Sequence, residues 1–140
     1  MEENLANFIP HRPPMHWLDQ AGPQEDGSIA ARWTVPDDNP VLNTLVRAKM
    51  VPPTVILEVL AQTAACQPGL AARQGHAPVP AGRLVAIDHL SVLAPVRSGD
   101  TLELRISVLR QWQTLLKCQL SATVRGKIAA QGVATFALLV

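Results

Sequence analysis

The stretch Pro52-Pro53-Thr54-Val55-Ile56-Leu57-Glu58-Val59-Leu60-Ala61-Gln62-Thr63-Ala64-Ala65 decides how this chain folds. Two prolines suit the first positions of a helix, where a missing amide donor costs little. From Thr54 to Arg73 the one further proline is Pro68, which is predicted to kink or end the helix. Val55, Ile56, Leu57, Val59, Leu60, Ala61, Ala64 and Ala65 make nearly every face of this helix apolar. A helix that is apolar all round is predicted to be buried all round. In a chain of 140 residues, that requires a sheet wrapped about it.

The flanking sequence supplies the strands. Upstream, Pro10, Pro13 and Pro14 exclude a helix and lead into a short apolar strand around residues 15–18. Residues 22–27 read as a Gly/Pro/Asp turn. Ile29, Ala31, Trp33 and Val35 then alternate with Ala30, Arg32 and Thr34, the pattern of a half-buried strand. Residues 36–40 form a loop. Downstream of a loop at 75–82, residues 83–93 read as a long strand. Leu102, Leu104, Ile106 and Val108 alternate with polar residues, as do Leu116, Cys118, Leu120, Ala122 and Val124. Residues 128–139 form a last apolar strand. Ser98-Gly99-Asp100 and Arg125-Gly126-Lys127 suit tight turns, so the consecutive strands should be antiparallel. The expected fold class is α+β, in the order β-β-α-β-β-β-β, with one helix against a curved antiparallel sheet and one domain over residues 1–140.

Composition narrows the function. Hydrophobic residues make up 48% and charged residues 16%, so part of the apolar excess is expected to meet another subunit. A net charge of +1 gives no electrostatic case for nucleic acid. Glu58, Gln62 and Gln67 interrupt the most apolar stretch, so no membrane span is expected. Met1-Glu2-Glu3-Asn4 is acidic and carries no apolar signal region, which points to the cytoplasm. Cys66 and Cys118 have no metal-like spacing and read as buried free thiols.

Three blocks carry a resemblance. Ile9-Pro10-His11-Arg12-Pro13-Pro14-Met15 resembles the opening of the hotdog-fold 3-hydroxyacyl-[acyl-carrier-protein] dehydratases. Leu57-Glu58-Val59-Leu60-Ala61-Gln62 is similar to their central helix. Ile87-Asp88-His89, followed by Pro95-Val96-Arg97-Ser98-Gly99-Asp100, is similar to their strand and turn of the form Pro-Val-x-x-Gly-Asp. The blocks stand in the family's order, and within it the chain looks most like the dehydratase-like proteins of aryl-polyene pathways. The resemblance implies a dimer, homomeric or formed with another hotdog subunit, whose sheets join edge to edge. It implies active sites at the interface, each using a histidine from one subunit and an acidic helix residue from the other. The implied ligand is an acyl carrier protein or coenzyme A thioester.

Dehydration of a 3-hydroxyacyl thioester removes an α-proton and expels the β-hydroxyl, which needs a base, an acid and a donor to the thioester oxygen. No cofactor is expected for that chemistry. The family's segment reads His-x-Pro-Gly-x-x-x-x-Pro-Gly-x-x-x-x-Glu. Counted back from Glu58, Pro52 meets the second proline, Pro53 replaces the glycine and Thr44 stands where the histidine should be. A threonine hydroxyl cannot accept an α-proton at neutral pH. The expected site is therefore Glu58, with burial raising its pKa. Gln62 is one turn on to orient it, and His11 and His89 are possible auxiliaries. Val55 and Val59 are expected to line or support an acyl tunnel. His16 and His76 read as ordinary side chains, and no histidine pair has metal-ligand spacing. Arg47, Lys49, Arg73, Arg83 and Arg97 are candidates for a basic rim that would steer an acidic carrier protein, or else plain surface charge.

Two functions of different class follow. One is a dehydratase-like enzyme acting on 3-hydroxyacyl thioesters with an incomplete catalytic dyad. The other is a non-catalytic hotdog subunit that binds acyl chains or partners a catalytic dehydratase, and the missing histidine favours it. An acyl thioesterase is a weaker third, because other hotdog proteins hydrolyse thioesters with a helix carboxylate.

Overall fold

A computed structural model describes residues 18–36, 50–73 and 81–139. Among them are strands β1 (Gln20–Pro23) and β2 (Ile29–Thr34), helix α1 (Pro53–Arg73), and strands β3 (Ala81–Val92), β4 (Thr101–Trp112), β5 (Leu115–Val124) and β6 (Lys127–Leu139). The strands form one sheet in the order β1-β2-β4-β5-β6-β3, every pairing antiparallel. Helix α1 packs against all six strands.

The period-two pattern sets which face α1 meets. Trp33 lies opposite Leu102 and Ala31 opposite Leu104, and all four are buried. Leu104 faces Ala122 and Ile106 faces Leu120, which continue the same layer into β5. On the other face, Arg32 lies opposite Glu103, with Nε 3.1 Å from Oε1. That pair is exposed and holds register more than it adds stability. A slip of one residue would turn every apolar side chain to solvent.

Four sequence expectations are corrected. The first strand around residues 15–18 lies mostly outside the described residues, and the strand that is seen, Gln20–Pro23, takes the first two residues of the stretch 22–27 read as a turn. An edge strand tolerates Pro23, and the turn itself falls at residues 24–28. Of the two expectations at Pro68, a kink or an end, the end is overturned: helix α1 continues to Arg73. An interior proline costs about 3 kcal/mol, which is less than the burial of Val55, Ile56, Val59 and Leu60, at roughly 1.5–3 kcal/mol each. Nor is α1 buried all round: Thr54 is exposed, while Leu57, Glu58 and Ala61 are half-buried. Their spacing places them on one flank of the helix. Finally, β3 and β4 follow one another in sequence but do not pair. Residues 93–100 carry the chain across the sheet, leaving β3 an edge next to β6.

That edge is apolar and irregular. Val85 is 50% and Ile87 46% exposed, and Val92 and Leu93 are also exposed. Two register shifts, at Leu84/Ala86 and Ile87/His89, bend β3 against β6. The close approach depends on Gly132, where a side-chain Cβ would run into the His89 carbonyl oxygen. Gly132→Ala is expected to cost roughly 1–3 kcal/mol by forcing β3 away from β6. Gly22→Ala, with nothing within 4 Å of the added carbon, should shift stability by less than about 0.5 kcal/mol. Urea unfolding of the two variants against the parent protein measures the contrast.

Candidate functional site

The start of α1 is tied to the sheet end. Met50 bridges Arg97, and the Val51 amide donates to the Val96 carbonyl at 2.7 Å. The helix thus begins where the chain leaves the β3–β4 crossing. Glu58 follows in the second turn of α1.

Glu58 stands at the border between the helix's covered face and its open flank. Gln62, four residues on, is fully buried, and its Nε2 donates to Glu58 Oε1 at 3.2 Å. A buried amide has few other positions, so it fixes the carboxylate's rotamer. One oxygen of Glu58 is held from inside, and the residue sits next to the half-buried Leu57 and Ala61. A carboxylate held in this way at an open apolar flank suits proton transfer or hydrogen-bond donation to a bound ligand. Val55 and Val59 are buried, at 2% and 0% exposure, among the core residues of α1.

His89 is on β3, opposite Val133. The neighbours of Val133 on β6, Gly132 and Ala134, are buried. His89 and Val133 therefore belong to the sheet face turned away from α1. Within one chain His89 is not brought to Glu58. Thr44, His11, His16, His76, Arg47 and Lys49 lie outside the described residues. Among the described residues, no group of three or more His, Cys, Asp or Glu could hold a metal ion. No helix among them is long and apolar enough to cross a membrane.

One cluster was only partly foreseen. Arg97, Arg125 and Lys127 surround a cleft of about 440 Å³ at the sheet end where α1 starts. Arg125 and Lys127 read in the sequence as no more than turn residues. Their proximity to Arg97 comes from two turns being held together.

A helix-centred antiparallel sheet with an acidic residue on the helix is the arrangement that the sequence resemblance implied. Residues 3–137 match the family described as ApeP-like, ApeP dehydratase. The chain belongs to the ApeP-like dehydratase family. This ApeP-like chain is 30% identical over 142 residues to the 3-hydroxyacyl-[acyl-carrier-protein] dehydratase FabZ of Herpetosiphon aurantiacus, covering 98% of this chain and 96% of that one. Among solved structures it is similar to the dehydratase heterocomplex ApeI:P from Xenorhabdus doucetiae, with a TM-score of 0.85 and 18% identity over 99% of this chain and 92% of that one. It is also similar to an acyl-CoA hydrolase from Staphylococcus aureus in complex with butyryl coenzyme A, with a TM-score of 0.58 and 14% identity over 81% and 63% of the two chains. The fold is the hotdog fold, and the ApeP-like protein is a hotdog dehydratase-like protein.

The two thiols of this ApeP-like chain are buried and free. Burial pushes Cys66 up to about 12 and Cys118 up to about 11, from an ordinary value near 9. Both raised values favour the neutral thiol in the folded state. The linked stability is complete below about pH 9 and is lost as the pH rises from there through 11 and 12. An aromatic disulfide reagent at pH 8 should label both thiols quickly in urea and far more slowly in the native protein. Between pH 9 and 11 the urea midpoint should fall more steeply than in the Cys66→Ala/Cys118→Ala variant.

Proposed function

We propose that this chain binds 3-hydroxyacyl thioesters along the open flank of α1. There it supplies Glu58 to a dehydration site completed by a second, histidine-bearing hotdog subunit. The carrier is an acyl carrier protein or coenzyme A. The observation that carries this reading is Glu58 itself, anchored by buried Gln62 on the half-buried flank of α1 formed by Thr54, Leu57, Glu58 and Ala61. The apolar edge of β3 supports a subunit contact, since a sheet-edge strand with exposed Val85 and Ile87 is a template for another strand. The heterocomplex described for the similar Xenorhabdus structure supports a mixed partner rather than a second identical copy.

The chemistry divides between subunits. The β-hydroxyl leaves as water when its C–O bond breaks and the α-carbon loses a proton, so one group must accept that proton and another must protonate the leaving oxygen. Glu58 serves in this exchange. Thr44 stands where the family's pattern puts its histidine, and its hydroxyl cannot take the α-proton. A positioned general base contributes about a hundred- to ten-thousand-fold in rate, or roughly 3–5 kcal/mol of barrier. A homomer that lacks one is slow, whereas a mixed site is complete.

Turnover of a 3-hydroxyacyl carrier substrate by the chain alone, by a histidine-bearing hotdog partner alone and by their mixture tests the reading. The mixture should be the active species, and Glu58→Gln, which keeps a hydrogen-bonding partner for Gln62, should lower its rate by about a hundredfold or more. Fast turnover by the homomer would overturn the split site. An unchanged rate in the Glu58→Gln mixture would make this chain a scaffold for its partner.

A further inference from the structure

We propose that the corner of the sheet around Leu109, Arg110 and Trp112 docks this protein on an anionic lipid surface. The corner uses none of the residues assigned to thioester chemistry, so it stands apart from the reading of Glu58.

Charge is unevenly divided along the chain. All 11 acidic residues lie within residues 1–103, while residues 104–140 hold Arg105, Arg110, Lys117, Arg125 and Lys127 and no acid. The near-zero net charge therefore conceals a basic stretch from residue 104 onward. Within it, the pairing of β4 with β5 sets Arg110 directly opposite Lys117. Like charges facing each other across a strand pair are unfavourable. Asp88, 3.4 Å from Lys117, offsets one of the two. Among the described residues, Arg110 forms no ion pair.

A backbone irregularity puts an aromatic side chain beside these cations. Plain alternation from Leu102, Leu104 and Ile106 would turn Trp112 toward the core. A register shift between Val108 and Arg110 makes Leu109 an extra residue and reverses the faces beyond it. Trp112 then lies opposite Leu115 and Arg110 opposite Lys117. These positions belong to the face turned away from buried Leu116 and Cys118. Trp112 is 63% and Leu109 54% exposed. Strand β2 pairs with β4 only as far as Ile106, so no described strand covers that side of residues 107–112. Tryptophan suits a bilayer surface, where one end of the side chain is apolar and the other wet. Arginine and lysine beside it are attracted to anionic headgroups. A second copy docked by a two-fold contact would press this acid-poor surface against itself. The nearby acids Glu103 and Asp88 are already paired with Arg32 and Lys117. The charge therefore fits lipid phosphates better than a second copy of the chain.

The test is co-sedimentation with vesicles of phosphatidylcholine alone, or of phosphatidylcholine and phosphatidylglycerol in equal parts. The full chain is used by itself and mixed with a histidine-bearing hotdog partner. Vesicles with phosphatidylglycerol should bind about tenfold more tightly than neutral ones or better, with the difference shrinking as salt rises. Arg110→Glu changes the local charge by two and gives Lys117 an opposite partner across the strands, so it should keep the fold and weaken binding about thirtyfold. Trp112→Thr removes an exposed side chain and should weaken binding about tenfold. It should also abolish the blue shift of tryptophan emission that anionic vesicles produce in the parent protein. Circular dichroism and urea midpoints confirm the fold of each variant. Equal binding to both kinds of vesicle, or no binding in either preparation, overturns the proposal. So does binding that either variant leaves unchanged. Binding by the chain alone that the partner abolishes overturns it too, and makes this corner a subunit interface.

Discussion

Helix α1 puts Val55, Ile56, Val59, Leu60, Ala64 and Cys66 against a sheet whose facing positions are Trp33, Leu102, Leu104, Ile106, Cys118, Leu120 and Ala134. Each fully buried aliphatic side chain in this interface contributes roughly 1.5–3 kcal/mol. Among the described residues, this interface forms the core. It explains why the helix runs on past Pro68, why the strands keep register, and why the crossing at residues 93–100 is needed to place β3 beside β6. It also dictates what is left over. A single helix cannot present all its faces to one sheet, so Thr54, Leu57, Glu58 and Ala61 remain on the uncovered flank.

The candidate site grows out of that remainder. Glu58 is neither sunk in the core nor free on the surface. Gln62, buried one turn on, holds one of its oxygens. Geometry of this kind preorganises the carboxylate. On the far side of the sheet, His89 shares a face with Val133 and is separated from Glu58 by the sheet itself. A complete acid–base pair within one chain therefore cannot be built from these two. The apolar β3 edge and the half-buried helix flank underlie the proposed split site.

The described turns carry information of a different sort. Asp100 spends its charge on the Arg97 amide and on Arg125, and the result is a cationic cleft at the end of the sheet where α1 starts. The exposed pairs Arg32–Glu103 and Lys117–Asp88 lie on the strands and contribute little beyond register. The Asp100 group differs because it brings together turns 25 residues apart in sequence.

Much of this protein was legible before any coordinates. Local periodicity marks β2, β4, β5 and the apolar helix, because alternation and helical spacing are properties of neighbouring residues. The Glu58–Gln62 spacing of four residues places the pair on one helix face for the same reason. Family resemblance on the three motif blocks pointed to the hotdog dehydratases, and the match over residues 3–137 shows the family. Other features depended on contacts between distant segments. Strand order was hidden, since the pairing of β3 with β6 and of β2 with β4 depends on which apolar faces meet across α1. The exposed flank of α1 was hidden because hydropathy records how apolar a residue is, not whether the sheet reaches it. His89 could be placed in a strand from sequence, but its face depended on a register shift at Ile87/His89. Arg125 and Lys127 looked like turn residues until Asp100 drew their turn to Arg97. Sequence alone determined the elements and the family, because these follow from local spacing and motif order. Tertiary structure decided which residues share a face or a cleft, because that depends on long-range packing of the helix against the sheet.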